Sequence, residues 1–393
     1  MPDHVKIALV GVGNMGSFHA RSFKDIPLAK LVAVCDTDLD KGQKVAKDFD
    51  CAFFSDAETL LQARICDAVL IATPHYDHTI IGMAALKAGY HVLVEKPISV
   101  HKADCLKLIS AYTQSSATHP QQVFAAMFNQ RTDPHYKKAK QLIEGGELGE
   151  IQRVNWIITN WYRTQSYYNS SDWRATWKGE GGGVLLNQCP HNLDLLQWLC
   201  GMPKQVTAVG AIGKYHDIEV EDEITAILEY PNGATGVFVT STGEAPGTNR
   251  LEIAGTKGKL VLESGKGLLF TRNEIATNVH LTSCKNFFEA PPIWNIDIPI
   301  QGTGGQHKEI IQNFVEVVLG KAELIAPAVE GLRSVELGNA MLYSALRQQP
   351  VQLPLNEASY EAFLKDKIDN SRFVKNSPPT SPSSDNFSSS FSK

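Results

Sequence analysis

Val5-Lys6-Ile7-Ala8-Leu9-Val10 runs straight into Gly11-Val12-Gly13-Asn14-Met15-Gly16, and Asp36 ends the next apolar run twenty residues beyond Gly16. Each part has a physical role. Glycines permit a tight turn and close backbone approach, the start of the following helix attracts a pyrophosphate, and the carboxylate accepts hydrogen bonds from an adenosine ribose. A glycine pattern alone says little, but strand, turn, helix, strand and acid in this order predict a dinucleotide site. A carboxylate at position 36 repels the 2′-phosphate of NADP, so NAD is the expected cofactor and NADP the less favoured one.

Outward from this turn, apolar runs at Val5 to Val10, Leu31 to Cys35, Ala68 to Ala72, His91 to Val94 and Val123 to Phe128 alternate with helix-period stretches. Thr79 to Ala88 is one such stretch, closed by Gly89. Short apolar runs of this kind are strands buried on both faces, which predicts an α/β, doubly wound parallel sheet over residues 1–130. After about residue 150 the strand candidates lengthen: Ile151 to Ile158, Val206 to Ile212, Arg250 to Ala254 and Lys259 to Glu263. Pro231-Asn232-Gly233 joins Ile224 to Tyr230 with Ala234 to Thr240 as a hairpin. Residues 131–355 therefore read as an α+β domain with a mostly antiparallel sheet, two late helices (His307 to Leu319, Gly331 to Gln348) and a closing Val351 to Pro354. Residues 356–375 read as a C-terminal extension, and the Ser/Pro-rich 376–393 as a disordered tail.

Composition removes other classes. Lys plus Arg number 37 against 42 Asp plus Glu, a net charge of −5 without basic runs, so no nucleic-acid or membrane-surface partner is expected. Seven cysteines stand singly with no CxxC pair, which fits reduced thiols rather than a disulfide framework or a zinc site. With no basic leader and no bilayer-length apolar run, a cytoplasmic protein acting on small molecules is expected.

Strand ends on one side of such a sheet line the ligand crevice, which brings Ala72-Thr73-Pro74-His75 and Glu95-Lys96-Pro97 to the cofactor. Ala72, Thr73, Pro74, His78, Glu95 and Lys96 join Gly11, Gly13, Asn14, Met15, Gly16 and Asp36 as cofactor-binding candidates. His75 and His78 have H-x-x-H spacing, but no third ligand cluster stands beside them, so wall residues and no metal are expected. Lys96 precedes a proline and is held extended where a nicotinamide belongs; burial beside a cationic ring lowers its pKa and suits it to take a hydroxyl proton. In Gly181-Gly182-Gly183-Val184-Leu185-Leu186-Asn187-Gln188-Cys189-Pro190-His191-Asn192-Leu193-Asp194, helical spacing puts Asn187 and His191 on one face, with Asp194 a turn beyond to orient the imidazole. Asn187 capping a helix that starts at Pro190 is the other reading. Cys189 reads as packing.

Four of the six tryptophans fall between positions 156 and 177 (Trp156, Trp161, Trp173, Trp177), beside Tyr162, Tyr167 and Tyr168, with Arg163 and Arg174 among them. Flat rings stack on the C–H faces of a pyranose or cyclitol while arginines reach its hydroxyls; core or interface burial accounts for some of the rings. Trp161, Arg163, Tyr167, Trp173 and Arg174 are therefore substrate-binding candidates with Asn187 and His191, and His307 is a further neighbour of the pocket. The arginines leave an anionic substrate open.

GVGNMG, Ala72 to His75, Glu95-Lys96-Pro97 and GGGVLLNQCPHNLD resemble the Gfo/Idh/MocA oxidoreductases over about residues 5 to 355. The resemblance implies an NAD(P)-binding Rossmann domain and a second domain whose open, mostly antiparallel sheet serves substrate binding and oligomerisation. It implies Lys96 as the catalytic lysine and His191 as the histidine near the substrate hydroxyl. Inositol dehydrogenase-like members carry an aspartate where this chain has Asn187, whose amide cannot take a proton, so the burden falls on Lys96 and His191. The expected activity is oxidation of a secondary hydroxyl of a sugar, glycoside or inositol-like cyclitol by a homodimer or tetramer. An NAD-dependent glycosidase working by transient oxidation, and a non-catalytic NAD and sugar sensor, are the alternatives; Lys96 and His191 together argue against the sensor.

Overall fold

The computed structural model describes residues 4–371 and 373, so the expected tail at 376–393 lies outside the described residues. The first sheet contains β1 (Val5–Val10), β2 (Ala29–Cys35), β3 (Ala52–Phe54), β4 (Ala68–Ile71), β5 (His91–Val94) and β6 (Phe124–Ala126). All pairs are parallel, in the order β3-β2-β1-β4-β5-β6. Helices α1 (Asn14–Ser22), α2 (Leu39–Phe49), α3 (Ala57–Gln62), α4 (His75–Lys87) and α5 (Lys102–Ser116) connect them. Ile7, Leu9, Val34, Leu70 and Val92 are buried in this sheet, as uninterrupted apolar strands require. The winding reverses between β1 and β4, so the ends of these two strands open a crevice.

The second sheet runs β14-β13-β12-β11-β7-β10-β9-β8-β15 and is antiparallel except where β10 lies parallel to β7. Its strands are β7 (Ile151–Ile158), β8 (Gln205–Ile212), β9 (Glu221–Glu229), β10 (Thr235–Ser241), β11 (Asn249–Gly255), β12 (Gly258–Glu263), β13 (Gly267–Asn273), β14 (Ile293–Asp297) and β15 (Val351–Gln352). The helices of this half are α6 (Pro134–Glu144), α7 (Gln165–Tyr168), α8 (Pro190–Cys200), α9 (Thr277–Ser283), α10 (Gln306–Val318), α11 (Gly331–Arg347) and α12 (Glu357–Asp369). Inward residues such as Trp156, Ile224, Phe238 and Leu251 share one core with Leu193 of α8 and Leu337 and Met341 of α11. The other face carries the exposed side chains of Ile157, Val209, Ile227 and Val237.

Three features depart from the sequence reading. β3, β13 and β14 are additional strands, and the expected extension after residue 355 contains α12, which buries Tyr360, Phe363 and Leu364 in the second core. Lys102 fixes this helix's entry by donating to the Leu355 carbonyl at 2.6 Å while pairing with Glu336 at 2.8 Å. Finally, α10 packs on the first sheet: Ile310, Ile311, Phe314 and Val315 belong to its core, and Ala126 N–H donates to the Ala326 carbonyl at 3.0 Å.

Candidate active site

The glycine turn is shaped by close contacts. Gly11 has φ +87°, and a Cβ there would come within 2.6 Å of the Ala72 carbonyl oxygen, while one on Gly16 would lie 1.9 Å from the Gly11 oxygen. Turn, helix and β4 loop therefore approach to distances that only glycine allows. Gly13 faces open space and precedes α1 with no side-chain cap, so the first helical N–H groups are left for a ligand. Asn14 is exposed and Met15 half-buried at this rim. Asp36 accepts from Val12 N–H at 2.7 Å and Asp38 N–H at 2.9 Å, which fixes its carboxylate beside the turn. The Thr73 hydroxyl, between Ala72 and Pro74, is buried without a protein partner. An uncapped helix start, a fixed acid and an unmet hydroxyl fit an adenine dinucleotide.

β5 delivers Glu95 and Lys96 to the same crevice. Glu95 is buried; its Oε1 lies 2.6 Å from His19 Nε2 and its Oε2 accepts from Lys96 N–H at 3.0 Å. Burial alone raises this carboxyl, but the bond and charge of His19, with His307 and Lys96, outweigh it and hold the pKa at about 2. His307 sits edge-on to Phe18 with ring centroids 5.3 Å apart and 5.7 Å from the His19 ring, behind the carboxylate; burial lowers its pKa to about 4. The His78 ring nitrogens lie 2.8 Å from the Pro97 carbonyl and 2.9 Å from that of Thr73. Burial lowers the His78 pKa, and the neutral ring has a single N–H, so it donates to one of these carbonyls and abuts the other.

Lys96 Nζ donates to the main-chain carbonyl of Asn187 at 2.7 Å, bridging the halves of the molecule. Burial lowers the Lys96 pKa, against the opposing pull of Glu95 and Glu180, while Arg174 and Arg163 lower it further. His191 lies in the first turn of α8 and packs edge-on to Phe128 at 6.5 Å; its Nδ1 is buried without a protein partner. Burial, then the nearby Lys96 and His307, hold the imidazole neutral by lowering its pKa well below the ordinary value.

The helical reading of residues 187–194 is corrected. Helix α8 begins at Pro190, whose missing N–H suits a first turn, and Asn187 lies before it in a turn held by Asn187 N–H to the Gly183 carbonyl at 2.9 Å. Its side chain does not cap the helix: the amide donates to Glu180, and Oδ1 accepts from Tyr167 Oη and Gln188 Nε2, each at 3.2 Å. Asp194 does not orient His191. It is buried against Arg131, whose Nε and Nη2 donate to it at 2.7 and 2.6 Å.

Residues the sequence reading passed over complete the site. Glu180 is buried, accepts from Ala175 N–H at 2.6 Å, and has its pKa raised by burial despite Arg174 and Asn187. Glu221 at the start of β9 accepts from Gly183 N–H at 2.8 Å and Leu185 N–H at 3.1 Å, clamping the glycine loop that carries Asn187. Both are carboxylates whose partners depend on the fold; the only sequence sign of Glu180 is its place directly before Gly181-Gly182-Gly183. Cys189 is packed, 2.9 Å from the Thr240 hydroxyl, with its thiol pushed up to about 12 by burial.

The aromatic segment divides. Trp156, Tyr168 and Trp177 are core. Trp161, Tyr167 and Trp173 stay partly open, with the Arg163 guanidinium over Trp161 and Tyr167 (5.5 and 5.0 Å) and that of Arg174 over Tyr167 and Trp173 (4.4 and 4.8 Å). Trp161 Nε1 donates to Asn192 at 3.2 Å, and Arg174 Nη1 donates to Tyr167 Oη at 2.6 Å. A chain of contacts thus runs from Lys96 through Asn187 and Tyr167 to Arg174.

A glycine-turn crevice for a dinucleotide, with a lysine of depressed pKa at its mouth, defines an NAD-dependent oxidoreductase. Two family descriptions match the chain: "Oxidoreductase family, NAD-binding Rossmann fold" over residues 5–124 and "GFO/IDH/MocA C-terminal domain" over 136–261. The chain belongs to the Gfo/Idh/MocA family. It is 24% identical over 357 residues to inositol 2-dehydrogenase of Rhizobium meliloti, covering 89% of this chain and 99% of that protein. The WlbA dehydrogenase of Chromobacterium violaceum, solved with NADH and UDP-GlcNAcA, is 26% identical with a TM-score of 0.76, covering 91% of this chain and 98% of that one. Levoglucosan dehydrogenase, solved with NADH and L-sorbose, shares the fold at 20% identity and a TM-score of 0.75, covering 90% and 100%. No helix among the described residues is long and apolar enough to cross a membrane.

Proposed function

We propose that the protein oxidises a secondary hydroxyl of a sugar or cyclitol, with Lys96 and His191 handling the hydroxyl proton. NAD, when bound, supplies the hydride acceptor. Lys96 in its neutral form takes the proton, and the resulting ammonium keeps the Asn187 carbonyl as partner with Glu95 and Glu180 as counter-charges. Neutral His191 offers its unmet Nδ1 to the same hydroxyl. Trp161, Tyr167 and Trp173 supply ring faces for a pyranose or cyclitol.

The observation that carries this reading is the depressed, anchored amine of Lys96 beside an imidazole with an unmet nitrogen. Relatives named inositol 2-dehydrogenase and levoglucosan dehydrogenase support the substrate class. Purified protein with NAD+ is expected to form NADH with at least one member of a panel of inositols, aldoses and glycosides, without glycosidic cleavage. Lys96→Ala is expected to lower kcat by about 10²- to 10⁴-fold, the usual worth of a positioned base; full turnover in that variant would refute the proton-transfer role.

A second copy of the chain is the proposed occupant of the outer sheet face. There the exposed apolar side chains of Ile157, Val209, Ile227 and Val237 adjoin a ladder of Arg153, Arg250, Glu252 and Glu263 whose charges are already paired within the chain, so a two-fold mate would bury apolar surface without stranding a charge. Ile227→Asp is expected to convert a sedimenting dimer or tetramer into smaller species; a wild-type monomer at micromolar concentration would exclude this.

A further inference from the structure

The arginines beside the cleft are unlike the others in this protein. Arg131, Arg153, Arg250 and Arg272 each meet a carboxylate. Among the described residues, Arg163 and Arg174 do not, nor do Arg21, Arg64, Arg333 and Arg347, but those four are exposed to water while Arg163 and Arg174 are half-buried. Their flat faces are used on Tyr167, Trp161 and Trp173, which leaves their N–H edges. Arg163 commits Nη1 to the Tyr162 carbonyl at 3.0 Å and Arg174 commits Nη1 to Tyr167 Oη, while the Arg174 Nε is buried with no partner.

The local charge balance points the same way. Lys96 reaches the two arginines through Asn187 and Tyr167, but burial lowers its pKa and Glu95 faces it, so the standing positive charge here is that of the two guanidiniums. The carboxylate among them is Glu180, whose oxygens already accept from Ala175 N–H and the Asn187 amide. His75, the titratable group packed edge-on to Trp173, is neutral by burial and adds no negative charge. Ring stacking stabilises a guanidinium without cancelling its charge. With a neutral polyol, Glu180 offsets part of the Arg174 charge and the partly desolvated Arg163 guanidinium keeps no carboxylate partner.

We propose that the substrate is an anionic sugar or cyclitol, whose carboxylate or phosphate group is held by Arg163 and Arg174 while a ring hydroxyl faces Lys96. This rests on the reading of the cleft as the substrate site. The edge of a guanidinium matches both oxyanions, and both distinguish such a ligand from its neutral counterpart.

The test is equilibrium binding to the full chain with saturating NAD+, read by tryptophan fluorescence, for D-glucuronate, D-galacturonate, D-glucose 6-phosphate, D-glucose and myo-inositol. At least one anion should bind about tenfold or more tightly than the neutral compounds, in keeping with charge-assisted bonds. Its advantage should shrink as salt rises from about 50 to about 500 mM. The uronates and the phosphate tell which oxyanion fits. Arg163→Gln and Arg174→Gln, separately, should each remove most of the advantage while NAD+ affinity, which reports an intact fold, stays unchanged. No anion preference, or a preference that survives both substitutions, overturns the proposal. A preferred anion that yields no NADH would refute the dehydrogenase reading and support this one; NADH from neutral polyols without anion preference would do the opposite.

Discussion

Glu180→Gln should make Lys96 more acidic. In the native protein two carboxylates, Glu95 and Glu180, oppose the burial that depresses this amine. A nearby opposite charge raises an amine's pKa, and Glu180 acts on Lys96 across Asn187, which stands between the two. Glutamine removes the charge and accepts one of the two native donors, so the Asn187 side chain must readjust. Its main-chain carbonyl, which anchors Lys96, is held separately by the bond from Asn187 N–H to Gly183 and by the Glu221 clamp on the loop. The lysine thus keeps its position and loses one of its two counter-charges, Glu95 remaining. The sign follows: the ammonium is destabilised, so its pKa falls. Trace acetylation with acetic anhydride across a pH series, reading the peptide that contains Lys96, measures this without a substrate, and the acid limb of kcat/KM should move to lower pH in step. An unmoved or raised midpoint in a variant that still binds NAD+ would refute the reasoning.

Asp36→Ala should weaken NAD+ binding by about 1.5–3 kcal/mol, the usual size for charge-assisted bonds, and titration calorimetry showing unchanged affinity would exclude Asp36 from the site. Glu95 is held near pKa 2 against an ordinary 4.5, so its contribution to stability is full above about pH 4.5 and is lost as pH falls toward 2. Urea unfolding should accordingly find Glu95→Gln destabilised by about 3 kcal/mol at pH 6, with the gap narrowing steadily below pH 4.5; a gap independent of pH would show that the carboxylate charge is not what stabilises.

The parts legible in the sequence were those set by local pattern. Buried parallel strands announce themselves as apolar runs, and Gly11, Gly16 and Asp36 sit at offsets fixed by one turn of one unit. β3, only three residues long, and β13, with Leu269 exposed, give little periodic signal, and α12 spreads its three buried residues among charged ones. Within the site, spacing failed where long-range partners decide. Asn187 and His191 are four apart, yet Pro190 starts the helix between them. Asp194 is one turn from His191, yet Arg131, 63 residues earlier, claims both its oxygens. Glu180 and Glu221 are acids in ordinary surroundings until burial gives them partners.

The placement of α10 has a consequence for dissecting the molecule. A chain cut after β6 would retain all six parallel strands but lack Ile310, Ile311, Phe314 and Val315, which cover part of their core, and the main-chain tie from Ala126 to Ala326. The coenzyme-binding half is therefore assembled from two distant stretches of polypeptide, and no single scission can release it as a free-standing module.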